Sequence, residues 1–239
     1  QLSANGESST SGGAGGTINI TANSLTGAGI IRTNGGDASS GGFGAGGGGR
    51  ISLNGVTTDN FTGNLQSNGG DNTIRRGFAG TIYLNAAKRS NLTIGGTGNL
   101  STLRLGSDDQ GNDYTLGNVT INSGGTLEVD GNTASNGTSG SAATLYVTSL
   151  NIDTGATLSA NGFGFHDGAG PGYGSSADGG THGGRGGDYS PSKTVQASYG
   201  SFTEPESLGS AGFTSCTGDG CGGGGAIIVR ATGTITVNG

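Results

Sequence analysis

The chain has 239 residues, 57 of them glycine, with 11% charged residues, no Met or Trp, and a net charge of −6. Glycine at this level without a strict three-residue period or abundant proline excludes collagen. Interior glycines costing about 1 kcal/mol each exclude a helical bundle. The acidic balance argues against nucleic acid as a partner, and no apolar run is long enough for a membrane span.

Taken in chain order, one motif recurs: an apolar residue, two variable residues, Asn or Asp, then Gly. It stands at Leu2-Asn5-Gly6, Ile31-Asn34-Gly35, Leu65-Asn68-Gly69, Leu127-Asp130-Gly131, Leu158-Asn161-Gly162 and Ile235-Asn238-Gly239. A glycine-rich or small-residue insert follows each of the first five, and each insert gives way to a short alternating strand. These strands are predicted at Thr17–Ile20, Arg50–Leu53, Thr81–Leu84, Thr144–Val147 and Ala226–Val229. A second corner precedes most Asn-Gly steps, at Thr26-Gly27, Thr62-Gly63, Ser123-Gly124 and Thr154-Gly155.

From Leu2 to Ile31 is 29 residues, from Ile31 to Leu65 34, and from Leu127 to Leu158 31. The interval from Leu65 to Leu127 is 62, two units, and residues 85–116 with Leu92, Ile94, Leu100, Leu103 and Leu105 form a degenerate one. A unit this small cannot bury its apolar face alone, whereas stacked units share a continuous core. The fold expected is therefore all-β: a right-handed parallel β-helix, one domain over residues 1–239, with glycine-rich inserts leaving one corner. A β-sandwich expects hairpins every 8–12 residues rather than a long insert recurring after the same corner. Disorder expects sparse apolar residues rather than periodic ones. Asn and Gly at the corners are expected to supply left-handed backbone conformations. Coils at strand spacing would make a rod about 30 Å long.

The inserts span about 6–16, 35–49, 69–80, 131–143 and 162–225. Because all leave at one corner they should stack along one edge, glycine backbones approaching closely, with Phe43, Phe78, Phe163 and Phe165 as anchors. The last insert is the longest and the leading place for a specific role. It holds Cys216 and Cys221, five residues apart in a glycine-rich loop, expected to form a local disulfide in an oxidising compartment. Two free thiols, or half of a metal site, are the alternatives. The chain starts at Gln1, which suggests a processed product or a piece of something longer. Gly239 followed by Gln1 would read Val-Asn-Gly-Gln-Leu-Ser-Ala-Asn-Gly, an ordinary unit, so end-to-end stacking of copies is expected through exposed strand edges.

From about Gly187 onward, Tyr199-Gly200-Ser201, Pro205, Leu208-Gly209-Ser210, Gly222 to Gly225, Ala226-Ile227-Ile228-Val229 and Gly233 to Gly239 carry a resemblance. The glycine-rich run before Arg50-Ile51-Ser52-Leu53 is of the same kind. Over about half its length the chain resembles a glycine-rich module of very large bacterial surface and extracellular proteins. That resemblance implies an extracellular or cell-surface β-helix with a structural or adhesive role, and it transfers no catalytic residues. Cys216 and Cys221 are not part of the pattern.

The chemistry-bearing residues are few. β-Helical enzymes that act on acidic polysaccharides need clustered carboxylates or a basic residue in a groove; Glu128 and Asp153, one unit apart, are the pair to consider. Asp108, Asp109 and Asp113 resemble half of a calcium loop but lack the bidentate Glu further on. His166, Asp167, Asp178, His182 and Asp188 share one insert and are of metal-ligating type. Tyr173, Tyr189 and Tyr199 are candidates to stack on sugar rings, with anchoring of the loop as the plainer role. No cofactor and no catalytic residue is assigned. The function expected is an extracellular structural or adhesive module assembling end to end into a fibre, or one segment of a longer β-helix. The alternative is a polysaccharide-active lyase or hydrolase, or a glycan-binding β-helix. The partners expected are copies of itself, flanking β-helical segments and surface polysaccharide.

Overall fold

A computed structural model of the chain describes residues 1–39, 42–72, 75–106, 113–133, 137, 139–166, 168–175, 177–189, 196–213 and 222–239. The backbone winds as a parallel β-solenoid of about five turns with almost no helix. The first two passes contribute β1 (Leu2–Ser3), β2 (Thr17–Gly27), β3 (Ile30–Arg32) and β4 (Arg50–Phe61). The third contributes β5 (Asn64–Gln66), β6 (Thr81–Tyr83), the short helix α1 (Ala86–Ser90) and β7 (Asn91–Ile94). Next come β8 (Thr102–Gly106), β9 (Asp113–Thr115) and β10 (Asn118–Ile121), followed by β11 (Thr126–Asp130) and a small antiparallel pair, β12 (Asn132–Thr133) and β13 (Gly140–Ser141). β14 (Thr144–Val147), β15 (Ser149–Ile152), β16 (Thr157–Ser159), β17 (Ile228–Ala231) and β18 (Ile235–Val237) complete the coil.

The predicted alternation sets the register. Leu2, Ile31 and Leu65 stack in one row, Leu103, Leu127 and Leu158 in another, and Ile94, Ile121, Ile152 and Val237 in a third. Each row points inward, and the aliphatic residues between Ile18 and Ile152 form one continuous core. Each fully buried Leu or Ile contributes about 1.5–3 kcal/mol. The strand predicted at Ala226–Val229 lies two residues later, at Ile228–Ala231. The degenerate unit is a true coil, since Leu92, Ile94, Leu100, Leu103 and Leu105 are all buried.

Although the core is continuous, the hydrogen-bond ladders are not. The sheets β1-β3-β5 and β2-β4-β6 end at the third pass, β7-β10-β15-β18 begins late in it, and β8-β11-β16 and β9-β14-β17 begin beyond it. On one face the cause is α1, which the sequence patterns did not predict. Its N-cap Asn85 accepts the Lys88 N–H at 2.8 Å and donates through Nδ2 to Val56 O at 3.3 Å. Lys88 Nζ donates to Phe61 O at 2.6 Å and pairs with Asp59 Oδ1 at 3.3 Å. Side chains of the helix thus take β4 carbonyls that the next strand would have used. Covering an edge with a helix is a known way to stop a sheet.

The inserts form a second layer. Each of the first three leaves as one extended limb and returns as another, and N–H groups three residues apart point the same way. Gly12 and Gly15 donate to Gly44 O and Gly47 O, and Ala45 and Gly48 donate to Arg75 O and Phe78 O. Gly6 and Ser9 donate to Asn34 O and Asp37 O, and Gly35 and Ala38 to Asn68 O and Asp71 O. A repeat of three is the turn of a polyproline II helix, which has no internal hydrogen bonds. Here the neighbouring limbs supply them, with diagonal bonds such as Gly36 N–H to Gly13 O at 2.8 Å and Gly70 N–H to Gly46 O at 2.8 Å. A ladder of side chains runs alongside, Asn34 N–H donating to Asn5 Oδ1 and Asn68 N–H to Asn34 Oδ1.

Glycine is needed in this layer for closeness. A Cβ on Gly35 would fall 2.0 Å from Gly46 O, and one on Gly46 2.0 Å from Gly13 O. Gly6, Gly35 and Gly69, at the Asn-Gly steps, do not have positive φ, whereas Gly162, at a later Asn-Gly step, does; of the other corners Gly27, Gly124 and Gly155 have it and Gly63 does not. The expected left-handed Asn-Gly corner is therefore corrected for those three steps: their glycines admit a neighbouring carbonyl. Of the expected anchors, Phe163 and Phe165 are buried, Phe78 is half-buried and Phe43 is exposed. Cys216 and Cys221 lie outside the described residues, as do Asp108, Asp109 and Asp167.

Candidate functional site

The interrupted ladders leave a seam around the rod, and its chemistry starts from one arginine. Arg76, at the root of the third insert, reaches Asp130 at the end of β11 with Nη2 at 3.1 Å. Its Nε donates to His166 Nε2 at 2.6 Å, and its guanidinium lies 4.8 Å from the centre of the Phe163 ring. Arg104, from β8, stacks on the same ring at 4.6 Å and pairs with Glu128 at 2.8 Å. The Asp130 side chain is 0% exposed, and its second oxygen accepts the Ala79 N–H at 3.1 Å.

Burial pushes the Asp130 carboxyl above its ordinary value, opposed by Arg76 and the Ala79 N–H. Burial, and then the Arg76 charge, push His166 down to about 3, with a Gly162 backbone hydrogen bond opposing. A neutral His166 is the form able to accept from Arg76. Every polar atom named here is used within the cluster, so it is a clasp: it ties the third insert to the fifth pass and the long insert where no sheet crosses. One-sided removal of such buried charge pairs is costly.

The seam also opens a lateral cleft of ≈470 Å³ between β6 and β9. Its floor is set by the buried core residues Ile82, Leu105 and Leu116, and its rim carries Tyr83, Arg89 and Asp113. The Arg89 guanidinium lies 4.5 Å from the Tyr83 ring centre, and Arg89 Nε donates to Leu84 O at 3.1 Å. The Tyr114 hydroxyl donates to Gly106 O at 2.8 Å, so that ring is fixed across the floor.

The residues singled out from sequence fall in separate places. Tyr173 and Tyr189 are exposed on the long insert. Tyr199 is half-buried, its hydroxyl donating to Leu208 O at 2.6 Å and lying 2.7 Å from Ser210 Oγ, with its ring 4.8 Å from that of His182; burial raises its pKa. Tyr199 is an anchor of the loop. Asp113 stands exposed at the start of β9, on the cleft rim. Glu128 neighbours Ser159 and Arg104 in register and pairs with Arg104, whereas Asp153 accepts Asn151 Nδ2 at 2.7 Å beyond β15. The two carboxylates do not meet.

His166 serves Arg76, Asp178 is buried and accepts the Tyr189 N–H at 2.8 Å, and Asp188 pairs with Arg185 at 3.2 Å. Among the described residues no three His, Cys, Asp or Glu side chains group as metal ligands, and no helix is long and apolar enough to cross a membrane. Sequence reasoning missed Arg76, Asp130 as a buried acid, Tyr83 and Arg89. The pair Arg75-Arg76, one of two adjacent basic pairs in the chain with Lys88-Arg89, was the available signal for the clasp. Comparison with protein-family models, characterised proteins and solved structures finds no match to this chain.

Proposed function

We propose that the chain is a structural or adhesive segment of an extracellular β-solenoid, joined through the ends of its coil to copies of itself or to like segments. The observation that carries this reading is the pair of open coil ends. Among the described residues β1 and β2 pair on one edge only, as do β16, β17 and β18 at the other end. Both ends leave members of the inward apolar rows uncovered: Leu2 is 47% exposed, Ile235 46% and Val237 63%. Unprotected edges of this kind template further pairing, and a stacked copy would extend the Leu2–Ile31–Leu65 row. The resemblance of the glycine-rich units to bacterial surface modules supports the extracellular setting.

Sedimentation velocity and electron microscopy at rising protein concentration test it. Rods that lengthen with concentration, and are cut back by Leu2→Lys with Val237→Lys, are the expected result. A monodisperse monomer at high concentration overturns the proposal. A second reading, a glycan-binding module, is favoured by the exposure of Tyr189, at 76%, and of Tyr173 on the long insert; saturable binding of a surface polysaccharide, lost on Tyr189→Ala, would establish it instead.

A further inference from the structure

The cleft between β6 and β9 is bounded by two open strand edges. Among the described residues β6 pairs only with β4 and β9 only with β14, and the strands run in the same sense. The direction of their backbone groups follows from neighbouring bonds. Thr81 N–H donates to Gly49 O, toward β4, and Leu116 N–H donates to Tyr146 O, toward β14. Parallel strands direct alternate residues to alternate sides. The amide and carbonyl of Ile82 therefore face the cleft from one wall, and those of Asp113 and Thr115 face it from the other.

We infer that this cleft is an acceptor slot for one extended peptide strand of a partner protein, with the sequence polar–apolar–acidic. A central residue placed between Ile82 and Tyr114 in register would donate its N–H to Asp113 O and accept from Thr115 N–H. The residue before it would accept from Ile82 N–H, and the residue after it would donate to Ile82 O. All three peptide positions are then satisfied, and β2-β4-β6 joins β9-β14-β17 into one sheet. Adding a strand to open edges in this way takes affinity from the main chain and specificity from alternate side chains.

The side-chain preferences come from the cleft. The central residue points inward over Ile82, Leu105 and Leu116, which are buried core residues and demand an apolar side chain. The following residue points outward between Tyr83 and Thr115, beside the Arg89 guanidinium, which favours a carboxylate. An apolar floor between two hydrogen-bonding walls suits a peptide better than a sugar, whose hydroxyls would be stranded against aliphatic carbon.

The test uses the whole chain and a fluorescein-labelled Ser-Thr-Val-Glu-Ser amide, read by fluorescence anisotropy. Saturable binding is expected, weakened at least about tenfold by N-methylation of the Val amide, the scale of a lost hydrogen bond plus the clash of the methyl group. Replacing the peptide Val by Asp should weaken it at least as much. Replacing Glu by Gln should weaken binding to the native chain but have no effect on Arg89→Ala, which separates the specific contact from a general loss of folding. Equal binding of the N-methylated peptide, or no saturable binding up to millimolar peptide, overturns the inference. So does preferential binding of tri-galacturonate at the same cleft, which would make it a glycan site.

Discussion

The insert layer makes a sharp distinction between two reasons for glycine, and three substitutions separate them. A Cβ on Gly36 would sit 2.0 Å from Glu7 O and 2.4 Å from Glu7 C, both inside the 3.0 Å that a Cβ tolerates. The obstacle is backbone, so the limb has to move. Movement strains the Gly36 N–H to Gly13 O bond at 2.8 Å and the Gly46 N–H to Gly36 O bond at 2.9 Å. Overpacking costs about 1–3 kcal/mol and each weakened hydrogen bond about 0.5–1.5 kcal/mol. Gly36→Ala should therefore destabilise by about 2–6 kcal/mol; 3 kcal/mol lowers the Tm of a domain this size by about 6–12 °C. Gly124→Ala meets open space but has φ +77°, so it should cost only the left-handed penalty of about 1–2 kcal/mol. Gly44→Ala meets nothing and has no positive φ; it should be neutral, or stabilise by about 0.4–1 kcal/mol through the unfolded state. Urea denaturation of the three variants decides the matter. If Gly36→Ala costs no more than Gly124→Ala, the limbs are not packed backbone to backbone and the reasoning fails.

Two further measurements address the seam. His166 has a folded pKa of about 3 against an ordinary 6.5, so it binds fewer protons folded than unfolded. Its contribution is fully present above about pH 6.5 and is lost as pH falls toward 3, by up to about 1.4 kcal/mol per pH unit. Asp130, raised by burial, shifts stability in the opposite sense, so the difference between native and His166→Gln denaturation curves at pH 7, 5.5 and 4 isolates the histidine; parallel pH slopes would refute the assignment. Lys88→Met leaves the buried Asp59 carboxylate without its cation and should cost about 3–5 kcal/mol. Adding Asp59→Asn should recover much of that in the same assay, and failure to do so would mean that the helix cap, not the charge, holds the junction.

The coil itself was legible because alternation and spacing are local properties. Leu103, Leu127 and Leu158 recur at corresponding places in successive units, and only stacking buries them all. The role of the insert glycines was half legible: their abundance foretold close packing, but Gly35 next to Asn34 looks the same in sequence whether it turns the chain or admits a carbonyl. What escaped was long-range. Arg76 and His166 are 90 residues apart, and nothing in either neighbourhood announces the other. Helix α1 escaped for a different reason. Ala86-Ala87-Lys88-Arg89-Ser90 is one turn long, too short for a periodic signal, and it forms because Asn85 and Lys88 find carbonyls of β4 to bond. Tyr199 is a loop anchor, the plainer of its two expected roles, but its partners Leu208 and Ser210 could not be read from the sequence.

The insert limbs repeat every three residues while the strands that carry them repeat every two, and this fixes how such a molecule can change in length. Lengthening a strand by one residue turns its inward row outward. Lengthening a limb by one or two residues rotates every later N–H by a third or two thirds of a turn, so that it no longer meets its neighbour's carbonyl. A limb grown or cut by three keeps its bonds and simply reaches farther from the rod. Reach in this fold is therefore adjustable in steps of one polyproline turn, about 9 Å, with the coil beneath undisturbed.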